Sequence, residues 1–147
     1  AVEVRIVAVG RVKERGLRET LEDYYGRIRH YAKVTEVELE DGPAKDVIAR
    51  FEKAIPPRAR VVALEVEGKA LTSHQLAKLV EKAGNDSVPS LVFLIGGSYG
   101  LPPEVRKRAD AELSLSAMIL PHRLARLVLA EQVYRAFTIL RNEPYSH

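Results

Sequence analysis

The segment Ser90–Ile95, SLVFLI, has no polar position after its serine. A strand that is apolar on both faces must be covered on both, which is the condition of an inner strand in a parallel sheet with helices above and below. The rest of the chain supplies the partners. Val2–Val9 (VEVRIVAV) and Arg60–Val66 (RVVALEV) read as strands, and Val34–Leu39 (VTEVEL) alternates as a half-buried one. Leu17, Leu21, Tyr24, Ile28 and Tyr31 recur at steps of 4, 3, 4 and 3, one face of a helix. Val47, Ile48, Phe51 and Ala54 mark a second helix that stops before Pro56-Pro57. A third, capped by Thr72 or Ser73, carries Leu76, Leu79, Val80 and Ala83. Pro102-Pro103-Glu104 opens a short helix, Glu112–Leu115 is a short strand, and a long helix runs from about His122 to Leu140. This alternation predicts an α/β fold with a mostly parallel sheet and helices on both faces. The 147 residues, 1–147, are expected to form a single domain.

Cysteine is absent, which excludes disulfide frameworks, thiolate metal sites and Cys nucleophiles. His30, His74, His122 and His147 lack ligand spacing, so no metal is expected. No apolar run reaches the length of a membrane span and no basic-then-apolar leader opens the chain, so a cytoplasmic protein with no membrane partner is expected. From Arg123 to Arg141, twelve of nineteen residues are apolar and occupy most of the helical wheel. One sheet cannot cover such a helix all round, which predicts a homodimer; a helix packed centrally in a monomer is the alternative. Seven Lys/Arg against four acids in residues 10–33, and again seven against four in 106–147, leave each segment at +3 although the whole chain is only +3. On one face they would attract phosphates; as ordinary solvated helix faces they would be paired internally, as Glu131 and Arg135 could be at i,i+4.

Three segments could carry chemistry. Leu94-Ile-Gly-Gly-Ser-Tyr-Gly100 follows the apolar strand and precedes a helix, where ligands sit in parallel sheets. Its spacing is neither a Walker loop nor a dinucleotide fingerprint; a sharp turn needing positive φ is the alternative to a ligand loop. Leu113-Ser-Leu-Ser-Ala-Met-Ile-Leu-Pro-His122 is an apolar loop before the last helix, suited to an adenine ring or simply to core. His122 stands at that helix's start, where it could act as base or merely cap; Arg123 and Arg126, three apart, could grip phosphate. The tail Asn142-Glu-Pro-Tyr-Ser-His147 could close a pocket through its aromatic and His, or simply fray.

Val7-Ala-Val-Gly-Arg-Val-Lys-Glu14, Leu64-Glu-Val-Glu-Gly-Lys69, Leu94-Ile-Gly-Gly-Ser-Tyr-Gly-Leu101, Leu113-Ser-Leu-Ser116, Pro121-His122, Glu131-Gln-Val-Tyr-Arg-Ala-Phe137 and the Asn142…Pro144-Tyr145 tail occur in order over nearly the whole chain. Together they resemble the large-subunit (23S) rRNA pseudouridine N3-methyltransferase family of the SPOUT superfamily. The resemblance implies a C-terminal trefoil knot that holds S-adenosylmethionine, a homodimer with the site at its interface, and a pseudouridine of large-subunit rRNA in assembled ribosomes as substrate. It implies a cofactor pocket of Leu64, Gly96, Gly97 and the loop Leu115, Ser116, Ala117, Met118, Ile119, Leu120 and Pro121. His122, Arg126, Tyr145 and His147 are the residues expected to position or activate the base. Arg11, Lys13, Arg123 and Arg126 would meet rRNA phosphates. Family tails commonly read Pro-Tyr-His; here Ser146 intervenes before His147. A SPOUT methyltransferase for another rRNA or tRNA nucleotide and a non-catalytic ribosome-binding module are the alternatives.

Overall fold

The computed structural model describes residues 2 to 145. Its elements alternate as β1 (Glu3–Val9), α1 (Arg15–Ile28), β2 (Val34–Leu39), α2 (Ala44–Ala54), β3 (Arg60–Ala70), α3 (Ser73–Asn85), β4 (Ser90–Ile95), α4 (Pro103–Arg106), β5 (Ala111–Ser114) and α5 (His122–Leu140). The strands form one sheet in the order β2-β1-β4-β3-β5, every pairing parallel. β4 lies between β1 and β3, which accounts for its apolar sequence: all six of its residues are buried.

Side chains alternate across the sheet and divide the core in two. Val4, Ile6 and Ala8 of β1, with Leu91, Phe93 and Ile95 of β4, face α1, α3 and α5. Val7, Val9, Val92 and Leu94 face α2 and α4 instead. Helices therefore cover both faces, as the alternation predicts. α3 begins at Thr72, whose hydroxyl accepts from the Gln75 amide while the Gln75 side chain accepts from the Thr72 amide. This reciprocal cap satisfies two orphan donors and decides between the two possible starts of the helix.

β3 departs from the sequence reading. It runs to Ala70, past the expected end at Val66. Leu64 and Lys69 both pair with Leu113 of β5, so residues 65–68 bulge out of the ladder. The bulge turns closely at Gly68, where a side-chain carbon would stand 3.1 Å from the Glu65 carbonyl oxygen and 3.1 Å from the Leu113 amide nitrogen.

α5 packs between α1 and α3. Leu129, Ala130, Val133, Ala136 and Phe137 make its buried face, whereas Leu124 and Val128 remain exposed. The helix starts over Gly10 at the C-terminal end of β1. It ends beside Val2, Ala32 and Gly84 at the opposite end of the sheet.

Candidate functional site

The bulged part of β3 and the turn after β4 form one side of a crevice, its floor, and the segment from β5 to α5 forms the other, its roof. One end is an apolar slot lined by Leu64, Val66, Leu113, Leu115, Met118 and Leu120. The other opens between Val66–Glu67 on one side, Ile95–Ser98 beneath, and Ile119–His122 above. Val66, Leu120 and Ala125 line both parts, so the two are continuous. Met118 and Ile119 are 78% and 84% exposed, large apolar side chains left uncovered by the described residues.

The roof is shaped by short local bonds. Ser114 Oγ donates to the Ser116 carbonyl at 2.9 Å, and the Met118 amide donates to Ser116 Oγ at 2.9 Å. Of the loop residues 115–121, all but the exposed Ala117 line the crevice.

The glycine loop makes the sharp positive-φ turn that the sequence reading offered, at Gly100, and adds a close backbone approach at Gly96. A side-chain carbon on Gly96 would stand 2.3 Å from the carbonyl carbon of Gly100, because the loop folds back on itself. Gly97 and Gly100 bridge one another, and the positive φ of this turn, +77°, falls at Gly100. Gly96 is thus demanded by the loop's own backbone, and the turn it permits presents Gly96–Ser98 to the crevice.

Glu65 borders the slot, with its Oε1 buried and without a hydrogen-bond partner. Burial raises its carboxyl above the usual range; the Arg106 guanidinium opposes this from 4.0 Å, while the neighbouring Glu112 and Glu67 add to the rise.

His122 lines the crevice, and its Nε2 lies 3.6 Å from where a side-chain carbon of Gly10 would be. Gly10 has φ of +93°, a conformation that favours glycine. Arg11 and Lys13 follow it on the β1–α1 turn and are exposed. Arg123 is exposed and held by Glu14 at 2.8 Å.

Arg126 corrects an expectation. It is 1% exposed and cannot grip RNA phosphate from where it stands. Its Nη2 donates to the Gly10 carbonyl at 3.0 Å; its Nη1 donates to Glu36 at 3.3 Å and to Glu38. Arg18 reaches the same two carboxylates at 2.8 Å each, the Val12 amide donates to Glu38 at 2.9 Å, and the Tyr25 hydroxyl donates to Glu36 at 2.6 Å. Burial followed by the Glu36 charge drives the Tyr25 hydroxyl well above the ordinary tyrosine value. Two guanidiniums and two carboxylates thus compensate one another beneath the first turns of α5.

Tyr145 is not at its own crevice. Its hydroxyl donates to Glu131 at 2.8 Å, and its ring meets Tyr134 edge-on at 4.7 Å. Glu131 also takes Arg135 at 2.6 Å, the i,i+4 pair expected from sequence. Nine helical residues separate His122 from Glu131, about 13 Å along the axis. His147 and Ser146 lie outside the described residues. Sequence reasoning missed Val66, Glu67 and Ala125 as crevice residues, and Gly10, Glu36 and Glu38 as their support. The Glu67-Gly68 pair was the available signal for the first two.

Among the described residues, no group of three His, Asp or Glu side chains is placed to hold a metal ion, and no helix is long and apolar enough to cross a membrane.

An apolar slot continuing into a glycine-floored crevice defines an α/β protein with a cleft of the kind in which small ligands sit in parallel-sheet folds. The family described as "Predicted SPOUT methyltransferase" matches residues 2–147, and the chain belongs to it. It is 50% identical over 142 residues to a Sorangium cellulosum protein named Ribosomal RNA large subunit methyltransferase H, covering 97% of each chain. Proteins of the same name from Geobacter sulfurreducens and Bacillus pumilus are 39% and 40% identical, covering 99% and 98% of this chain and 100% and 99% of theirs. Among solved structures, a probable methylase family protein from Haemophilus influenzae Rd KW20 superposes with a TM-score of 0.61, covering 98% of this chain and 70% of that one. A probable methyltransferase from Bordetella pertussis Tohama I gives 0.59, covering 92% and 96%. At 12% identity each, these two show the fold alone.

Proposed function

We propose that this chain is an S-adenosylmethionine-dependent methyltransferase of large-subunit ribosomal RNA, acting on N3 of a pseudouridine in assembled ribosomes. The observation that carries this reading is that Leu64, Gly96–Gly97 and the 115–121 loop, remote from one another in sequence, line one continuous crevice in a chain of this family. The names of the full-length relatives supply the RNA.

The residues present suit the cofactor. Leu64, Val66, Leu113, Leu115 and Leu120 would hold an adenine ring, and the backbone of Gly96–Gly97 and of the 115–121 loop would meet its polar parts. When bound, S-adenosylmethionine supplies a methyl group made electrophilic by the attached sulfonium. The protein's part is alignment and removal of the imide proton from the base nitrogen as that nitrogen takes the methyl. His122, on the crevice wall, is the imidazole assigned to that proton. Arg11, Lys13 and Arg123 stand exposed at the same end of the molecule and would meet phosphates.

The reading includes a homodimer. Its support is the uncovered apolar set of Val66, Met118, Ile119, Leu124 and Val128. A second copy packed there would let the Tyr145–His147 tail of one chain serve the crevice of the other, which its own Tyr145 does not line. It also includes the trefoil knot, supported by membership of the SPOUT methyltransferase family.

The test is incorporation of labelled methyl from S-adenosylmethionine into ribosomes lacking the modification, with mass-spectrometric mapping. Label on a pseudouridine nitrogen of large-subunit rRNA is expected. Calorimetric binding of the cofactor with label only in another RNA would overturn the substrate while leaving the enzyme class.

A further inference from the structure

We propose that Arg126 is a positioning residue for His122: by holding the Gly10 carbonyl and the Glu38 carboxylate at once, it sets where the imidazole stands over the crevice. The inference rests on the methyltransferase reading for its kinetic consequence, though not for its structural one.

His122 and Arg126 are one helical turn apart on α5 and therefore share a face. Both meet Gly10. The imidazole Nε2 lies 3.6 Å from the position of a Gly10 side-chain carbon, and Arg126 Nη2 donates to the Gly10 carbonyl at 3.0 Å. Gly10 is the residue by which β1 leaves the sheet, and its amide donates to the Leu39 carbonyl of β2 at 2.8 Å. The turn under His122 is therefore tied to the sheet from one side and to α5 from the other.

The other side of the guanidinium is equally specific. Glu38 accepts from Arg126, Arg18 and the Val12 amide together, and Val12 belongs to the same β1–α1 turn as Gly10. One carboxylate thus links β2, α1, the turn and α5. A guanidinium with two parallel donors can span carbonyl and carboxylate; an ammonium offers a point charge without that fork. Burying a charged network does not by itself stabilise a fold more than apolar packing would. What it adds is directional hold, placed where α5 delivers His122 and the end of the 115–121 loop. Arg126 Nε is buried without a partner, so the residue keeps this arrangement while one of its own donors goes unsatisfied.

The test uses the full-length protein and Arg126→Lys, which keeps the charge and removes the fork. The first readout needs neither cofactor nor RNA: the ring resonance of His122 is expected to move toward those of the exposed His30 and His74. In methyl transfer at saturating S-adenosylmethionine, kcat is expected to fall about 100-fold. KM for the cofactor should change less than about threefold, the pattern of lost alignment rather than lost binding. The double variant with His122→Ala should be no slower than His122→Ala alone. Should Arg126→Lys fail to fold, Glu38→Gln, which loosens the other end of the strap, is expected to shift the same resonance and the same rate. An unmoved ring resonance in the folded variant, or a double variant that loses the product of both single effects, overturns the proposal. If the wild-type protein transfers no methyl, the functional reading falls and the ring resonance alone decides the positioning role.

Discussion

At Gly96 a single added carbon would collide with the turn that folds back over it, whereas at Gly97 it would press on Val9 Cγ1 from 3.1 Å and lie near Asp41. Gly96→Ala must therefore reshape the loop, at a cost of about 1–3 kcal/mol. Thermal unfolding should record that loss, and calorimetry should show S-adenosylmethionine binding weakened more than about tenfold. Gly97→Arg should abolish cofactor binding with the dimer intact, and unchanged affinity would remove Gly97 from the pocket. Charged residues carry a further consequence. Burial works against ionising Glu38, but the Val12 amide and the Arg126 guanidinium outweigh it and hold the carboxyl below its ordinary 4.5. Glu3 is likewise lowered against its burial, by hydrogen bonds from Thr35, Ser90 and Arg5. A depressed carboxyl stabilises the fold above its unfolded value, and that stability is lost as pH falls through the folded one. The contribution of Glu3 and Glu38 to the unfolding temperature should thus be lost as pH falls below the ordinary 4.5, whereas the raised Glu65 acts in the opposite direction above that value. The sequence reading took Arg126 for a phosphate or base contact and did not see that it is buried. A lone arginine in a helix reads as solvent-facing, and the carboxylates that enclose it come from β2, about ninety residues earlier.

Among the elements, α5 was the most legible, because no single sheet could cover apolar residues spread round its wheel. The structure leaves Leu124 and Val128 exposed beside Met118 and Ile119. Leu124→Glu should place a charge in the proposed dimer contact and shift sedimentation equilibrium toward monomer, with the monomer's circular dichroism unchanged. A dimer that survives would move the interface elsewhere. β3 was the least legible. Its extension, Glu67 to Ala70, carries two charges and a glycine, and periodicity sees no strand there. It stays in the sheet because β5 offers a ladder on one side only and tolerates a bulge. The reciprocal cap at the start of α3 makes a smaller claim: Thr72→Ala should cost about 1 kcal/mol of stability, read from denaturant unfolding.

For the molecule as a whole, the basic ends of the sequence meet only in part. Packing of α1 against α5 sets Arg27 over Tyr134 and Arg141 over Tyr31, each at 5.5 Å, whereas Arg106 to Arg108 lie on the α4 side of the sheet. The exposed pair Arg11 and Lys13 stands at the crevice end instead. Replacing both with serine should reduce the slope of log affinity for rRNA against log salt by about 1.5–2. An unchanged slope would place the phosphates elsewhere. The strand order has one more outcome, which concerns the birth of the chain. β1 can find β2 once residue 39 has been synthesised, but β3 shares no neighbour with β1 until β4, ending at Ile95, has been inserted between them. A chain emerging amino end first must hold two bare, apolar strand edges open through all of that interval. Such long-range pairing makes folding slow and the half-made sheet prone to association with its neighbours on a polysome. Pauses in translation placed before residue 90 should therefore lower the yield of folded protein, while pauses after residue 95 should be tolerated.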